Sequence, residues 1–475
     1  MAHSYVTTLS LKDWLSCKNI NITEWYLVGG TVRDLLLGSS PKDIDLVCKG
    51  AKKCAQAIAQ CNNAALVHME KKPGEPCYRV VDREDSDNYI DIAEMRGETI
   101  YDDLSQRDFT IDAIAAVVNE NSSAGLIIDP LKGQEDIKAK IIRQTSEKSI
   151  VSDPLRILRA FRLSASLGFT IEEQTAHEMK KRAVMLKDVS SERIMTELLL
   201  ILRTPHSSDF FRQMDRLGML EVIFPEIRAM KDCPRNGFHH KDVWEHSFLV
   251  MEYAEHIIGN LPSHFREWSS DIQQYLNRSN RLPLLKLIAL LHDIGKPSTK
   301  SINPDSGKIT FYGHDAAGAG MIDSVAGRLK VSSRDRDFMV LLTAEHLHVP
   351  GIVSENTCSA TRTRWYRKMG DDSTAAIILG MSDVMGSQGI DSTQKYRERF
   401  VSRAQQCVID YYENLKGKIE SPNLVSGKDI IILGMEPGPE MGIILERIRA
   451  AQDSGEISSR EEALELAKKM ISLQD

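Results

Sequence analysis

Two aspartates, Asp43 and Asp45, stand out in the run YLVGGTVRDLLLGSSPKDIDLV that spans Tyr26 to Val47. They flank Ile44, and on an extended strand residues two apart point to the same side. Two carboxylates placed together repel unless a cation lies between them. A hard divalent ion such as Mg²⁺ takes oxygen ligands and commonly joins one or two carboxylates to a substrate's phosphates. Just upstream, the apolar WYLV predicts a buried strand, Gly29-Gly30 ends it, and TVRDLLLG predicts a short helix. A strand, a glycine turn and a helix start let backbone N–H groups approach an anion closely. With Arg33 nearby, the stretch offers a phosphate cradle beside a Mg²⁺ holder. The plainer reading is an exposed turn with two solvated aspartates; the glycine pair and the arginine weigh against it.

The chain around these residues is 475 long, enough for several domains, with 42% hydrophobic and 27% charged residues, as in an ordinary globular protein. No apolar run reaches the roughly 18 residues that suggest a membrane span, and the N-terminus lacks the basic flank and apolar core of a secretory leader. Eight cysteines without a C-x-x-C pair predict reduced thiols and a cytoplasmic location. A net charge of −7 does not advertise nucleic-acid binding, so any such contact needs a local cluster. Arg156, Arg159 and Arg162, three residues apart in DPLRILRAFRL, would share a broad helical face. Residues 1–140 read as alternating strands and helices, with YIDIAEMR a further strand that brings Asp91 toward the first two aspartates. Residues 141–235 read as four helices, 236–390 as helical and rich in histidine, and 391–475 as a helical C-terminal region.

Five motifs then follow in order: LVGGTVRDLLLG…KDIDLV, QRDFTIDAIA, DPLKGQEDI, DPLRILRAFRLSASLGF and SSERIMTELLLIL. Together they resemble the head and neck of class II tRNA nucleotidyltransferases and bacterial poly(A) polymerases, and GKDIIILGMEPGP continues the likeness near the C-terminus. The resemblance implies an α+β multidomain chain. Its parts would be a polymerase-β-type nucleotidyltransferase head, an all-α neck and body, and a further all-α domain. It implies that Asp43 and Asp45 hold Mg²⁺ for in-line attack of an RNA 3′-hydroxyl on the α-phosphate, with pyrophosphate leaving. Gly29, Gly30 and Arg33 would lie beside the triphosphate, and Arg107 and Asp108 would contact the nucleotide's phosphates and sugar. In the neck, Asp153 and Arg156 would read the incoming base, with Arg159 one turn on. Ser152 stands where the family motif Glu-Asp-x-x-Arg has its glutamate, and Gln106 and Asp112 depart from the commoner RRDFTIN.

The second half carries DVWEHSFLVME, LIALLHDIGKP, FYGHDAAGAG, LTAEHLHVP and LGMSDVMG. The adjacent His292-Asp293 pair on an apolar helix, followed by Gly-Lys, resembles the signature of HD-domain phosphohydrolases. That likeness implies a divalent metal, of unspecified identity, held by His246, His292, Asp293 and Asp383. Lys296, His314 and His346 would hold a second metal or the substrate's phosphate.

The expected partners are tRNA and CTP, with ATP if the final adenosine is also added. CCA-adding members of the family usually carry a long flexible loop between the third head strand and the QRDFT motif. Here YIDIAEMR ends at Arg96 and TIYDDLSQRDFT resumes at Thr99, which resembles the CC-adding subgroup. Rival readings are a poly(A) polymerase, an HD-centred 2′,3′-cyclic phosphodiesterase or phosphatase acting on RNA ends or nucleotides, and an inactive RNA-binding protein. The intact Asp43/Asp45 pair argues against the last.

Overall fold

The computed structural model describes residues 11–15, 24–41, 43–72, 75–119, 122–234, 242–387 and 392–472. Most of the N-terminal stretch read for a leader lies outside them. No helix among the described residues is long and apolar enough to cross a membrane. Compactness divides the chain into two units, Met1–Ile201 with Gln213–Ile223, and Leu202–Arg212 with Phe224–Asp475.

The first unit is built on a mixed seven-stranded sheet. Its strands are β1 (Tyr26–Val28), β2 (Ile44–Cys48), β3 (Ala65–Lys72), β4 (Glu75–Val81), β5 (Tyr89–Glu94), β6 (Ala115–Val118) and β7 (Ala124–Ile128), in the order β3-β4-β5-β2-β1-β6-β7. β2 and β5 pair in parallel with Asp45 opposite Asp91, while β1 runs antiparallel to β2 on its other side. The expected strand, glycine turn and helix appear as β1, Gly29 and the helix Gly30–Leu36. Val28, Val47, Met95, Ile100, Leu104, Ala113 and Ala115 form one buried cluster under this sheet. Helices Lys148–Ser152, Arg156–Leu167, Glu173–Arg182 and Ser191–Leu202 follow as the neck. SDFFRQMDRLGMLEVIF, expected as one helix, is two, Ser207–Arg216 and Met219–Ile223. Gly218 between them takes φ +79°, a left-handed conformation that ends a helix.

The second unit is almost wholly helical. Helices Val243–Gly259, Arg281–Leu291, His314–Arg328, Ser333–Glu345 and Asp372–Gly386 surround the histidines, and one two-stranded hairpin, Ser301–Ile302 with Ile309–Thr310, interrupts them. Towards the C-terminus, Gly427–Ile432, Pro439–Ser454 and Arg460–Ile471 enclose a small core of their own around Ile430, Ile444 and Ile448. Cys48, Cys54, Cys77, Cys233, Cys358 and Cys407 carry free thiols, but Cys61 is disulfide-bonded, against the expectation of reduced thiols throughout. Motif spacing detects nearby cysteine pairs only, and no such pair includes Cys61.

One packing detail bears on the site. Asp129 accepts the backbone N–H groups of Gly133 (2.7 Å) and Gln134 (2.9 Å), which starts the helix Gly133–Ala139. The helix lies so close to the turn Thr110–Asp112 that a Cβ on Gly133 would stand 2.1 Å from the Thr110 carbonyl oxygen and 2.8 Å from Ile114. Gly133→Ala is therefore expected to destabilise the first unit by about 1–3 kcal/mol, as overpacking does. Urea unfolding would show this as a lower midpoint with an unchanged slope.

Candidate functional site

At the end of β1, Gly29 has φ +64°. A Cβ there would lie 3.1 Å from the Arg107 guanidinium and 3.7 Å from the Asp45 carboxylate, so both side chains converge on this turn. Arg33 folds back over Gly30 and pairs with Asp112 (2.6 Å) and Asp34 (2.8 Å). Asp112 is thus the anchor of Arg33. Its burial raises its pKa, and Arg33 partly opposes that. Thr31, not singled out from the sequence, joins the two aspartates. Its hydroxyl donates to the Asp43 carbonyl (3.0 Å) and accepts from the Asp45 N–H (2.7 Å). Asp91 lies buried next to Asp45, and both its oxygens accept from Arg79 at 2.8 Å. Asp45 offers a hard oxygen donor at the glycine turn, and Asp43, two residues earlier, offers another. That set fits Mg²⁺, which keeps much of its coordination sphere for water and phosphate oxygens.

The QRDFT segment is clamped from the neck. Arg156, buried, donates to the carbonyls of Gln106 (2.7 Å), Arg107 (3.1 Å) and Ser149 (3.2 Å) and to the Ser149 hydroxyl (2.9 Å). Arg159 pairs with Asp108 at 2.6 Å. Burial would raise the Asp108 pKa, but Arg159 and Arg156 hold it well below the usual carboxylate range. The Arg107 guanidinium is held by Asp103 at 2.9 Å. Of the expected base readers, Asp153 is buried, with Oδ1 accepting from the Leu155 N–H (3.3 Å) and Oδ2 from Arg193 (2.8 Å). Ser152 turns its hydroxyl onto the Ser149 carbonyl (2.8 Å), inside its own helical turn. Arg193, on the helix Ser191–Leu202, is therefore what orients Asp153, and nothing in SSERIM distinguishes it from a solvated helical arginine.

In the second unit, His246, His292, Asp293, His314 and His346 are all buried, and Asp383 is partly exposed. Two trios, His246/His292/Asp293 and Asp293/His314/His346, each bring their ligand atoms within 4.8 Å of one another. Asp293 is common to both. Its Oδ2 faces His292 (3.2 Å) and His246 (3.8 Å), and its Oδ1 faces His314 (3.3 Å) and His346 (3.9 Å). Asp383 closes the first trio, 3.0 Å from His246 Nε2 and 3.8 Å from His292 Nε2. Nδ1 of His292, His314 and His346 each meet a backbone carbonyl, of Ala289 (2.9 Å), Phe311 (2.7 Å) and Thr343 (2.6 Å). Those carbonyls select the tautomer that leaves Nε2 as a lone-pair donor toward the cluster. Burial, then the neighbouring His292, lowers the His346 pKa to about 4, which keeps it neutral. Lys296 reaches Asp293 Oδ2 at 2.5 Å. Imidazole nitrogens and carboxylate oxygens in these numbers fit divalent metal.

Three family models match in order: "Poly A polymerase head domain" over residues 25–143, "Probable RNA and SrmB- binding site of polymerase A" over 168–231, and "HD domain" over 243–385. The A-adding tRNA nucleotidyltransferase of Deinococcus radiodurans is 29% identical over 443 residues, 92% of this chain and 93% of that one. The CC-adding enzyme of Thermus thermophilus is 27% identical over 443 residues, 92% and 91% of the two chains. The multifunctional CCA protein of Actinobacillus pleuropneumoniae is 32% identical over 339 residues, 68% of this chain and 75% of that one. The Thermotoga maritima CCA-adding enzyme complexed with tRNA shares the fold with a TM-score of 0.60 at 22% identity, covering 95% of this chain and 91% of that one.

Two outcomes follow. Arg193→Ala should loosen Asp153 and lower the preference for the correct nucleotide by about 10-fold, consistent with losing a hydrogen bond to a charged group. Single-turnover incorporation with each NTP in turn measures it, and tRNA binding should change less. Asp293→Ala, which removes a donor from both trios, should strip tightly bound divalent metal from the histidine cluster. Elemental analysis after dialysis against Mn²⁺ or Ni²⁺ checks it.

Proposed function

Because the chain belongs to the tRNA nucleotidyltransferase and poly(A) polymerase family, we propose that it adds cytidine from CTP to the 3′ end of tRNA and stops after two additions. Asp43 and Asp45 would hold Mg²⁺, which when bound neutralises charge on the triphosphate and activates the RNA hydroxyl. The turn at Gly29, the start of the helix Gly30–Leu36, Arg33 and Arg107 would receive the phosphates. Asp153 and Arg156 would present fixed donors and acceptors to the base, and the neck helices would carry the RNA, as their match to an RNA-binding model supports.

The observation that carries the CC limit is the turn from β5 into the helix Ile100–Ser105. The Met95 N–H donates to the Cys48 carbonyl (3.1 Å), Arg96 to Asp103 Oδ1 (3.1 Å), and Glu98 and Thr99 to Asp102 Oδ2 (3.1 and 2.9 Å). Gly97, at φ +87°, packs so tightly that a Cβ would meet the Asp102 Cβ at 2.5 Å. A turn tied at nearly every peptide is no lever for reshaping a nucleotide pocket from cytosine to adenine. Relatives that add CC, A or the whole CCA are all similar to this chain, so overall identity does not choose among them.

A second activity is favoured by the complete histidine and aspartate cluster: metal-assisted hydrolysis of a phosphate ester, of the 2′,3′-cyclic phosphodiesterase or phosphatase type.

The deciding experiment offers tRNA lacking its terminus to the purified chain with CTP, ATP or both. Product should stop after two cytidines in the presence of both nucleotides. Efficient adenosine addition to a tRNA ending in CC would overturn the limit, and long A tails would point to a poly(A) polymerase.

A further inference from the structure

The strand register puts one row of charges across the head sheet. Asp45 on β2 is opposite Asp91 on β5, which is opposite Arg79 on β4. Directly paired residues share a face, and residues two apart on a strand share it too. Tyr89, two residues before Asp91 on β5, shares that face, and Asp43, one residue before β2, lies beside it. Four contacts link Asp91, Arg79, Tyr89 and Asp43 in a chain. Arg79 donates from Nε and Nη2 to the two oxygens of Asp91, each at 2.8 Å. Its guanidinium carbon lies 3.7 Å from the centre of the Tyr89 ring. The Tyr89 hydroxyl donates to Asp43 Oδ1.

This arrangement has a physical purpose that neither the sequence motifs nor the nucleotide-binding residues supply. Three carboxylates gathered at this face repel, and Asp91, with only 5% of its side chain exposed, has the least water to screen it. Arg79 neutralises it with a bidentate pair, the strongest geometry available to a guanidinium. The other side of that guanidinium fixes the Tyr89 ring by cation–π attraction. The ring then carries its hydroxyl to the one aspartate of the pair that needs support. Asp43 is exposed and precedes the regular strand, whereas Asp45 lies within it. Thr31 fixes the backbone at Asp43 through its carbonyl.

We propose that Tyr89 and Arg79 are positioning residues for nucleotidyl transfer: they hold Asp43 by Oδ1 so that its other oxygen faces the metal with Asp45. The proposal rests on Asp43 and Asp45 being the metal pair. Neither residue takes part in bond making. Tyr89 sets one torsion of a ligand, and Arg79 sets Tyr89.

The test titrates Mn²⁺ onto the full-length chain, counts free ion by electron paramagnetic resonance, and subtracts the same titration of Asp43→Ala to isolate the head site. Tyr89→Phe should weaken that site by about 3- to 10-fold, the net contribution of one typical hydrogen bond, as befits an exposed carboxylate. The metal concentration for half-maximal CMP incorporation should rise by the same factor, and excess metal should restore the rate. Arg79→Lys keeps the charge without the fork or the stack, and should give a shift in the same direction. Metal affinity in Tyr89→Phe that equals or exceeds the parent's would overturn the proposal. So would a lower rate that excess metal leaves unrepaired, because that marks a structural role. If Asp43→Ala itself binds Mn²⁺ as the parent does, the metal pair is wrong and the proposal falls with it.

Discussion

Burying an ionised carboxylate removes its hydration, and the loss is offset only by a well-placed cation or by strong donors. That constraint organises the chain around its reactive residues. Asp108 is held by Arg159, Asp153 by Arg193, Asp91 by Arg79 and Asp293 by Lys296. The first three pairings bind different parts of one unit. The Arg159 pair ties the neck to QRDFT, the Arg193 pair ties two neck helices, and the Arg79 pair ties adjacent strands. Thus charge compensation and element packing are the same set of contacts. Removing a cation at any of them would leave a buried anion as well as a looser joint.

The two candidate sites answer the constraint in opposite ways. In the head, Asp43 and Asp45 stay partly in water and offer only oxygen, which suits an ion that is shared with a substrate and dissociates with it. In the helical unit, four histidines and Asp293 are buried together, and backbone carbonyls fix three of the imidazoles from behind. Such a nest is costly to leave unliganded, which suits an ion that stays. The two sites therefore differ in donor chemistry: carboxylate oxygens alone at Asp43 and Asp45, imidazole nitrogens with carboxylate around Asp293.

How far the sequence reaches depends on the range of the contact. β1, Gly29 and the helix Gly30–Leu36 follow from a short apolar run, a glycine pair and a leucine face, all within some ten residues. The Asp-x-Asp spacing suggests a shared strand face, but β2 begins at Ile44, so only Asp45 of the pair lies within it. By contrast, Arg79 comes from a strand that motif reading passes over, and its partner is set by the β4–β5 register. Arg193 reaches Asp153 across 40 residues, and Thr31 reaches the Asp43 and Asp45 peptides across 12 and 14. Residues of this kind position rather than react, so their types carry no signature. Ser152 shows the limit from the other side. Its hydroxyl does bond, but to its own turn, and the hold on Asp153 passes to a residue elsewhere.

The short turn after β5 is more than a missing loop. Asp103 accepts from the Arg96 N–H with one oxygen and holds the Arg107 guanidinium with the other. Arg107 in turn lies against Gly29, at the turn where Asp45 converges. The backbone of the turn, Arg107 and Gly29 are thus mechanically one piece. A long loop could swing without disturbing Arg107. This turn cannot, because moving Arg96 pulls on the carboxylate that orients the arginine. Any rearrangement of this turn would therefore also displace Arg107 from its place against Gly29.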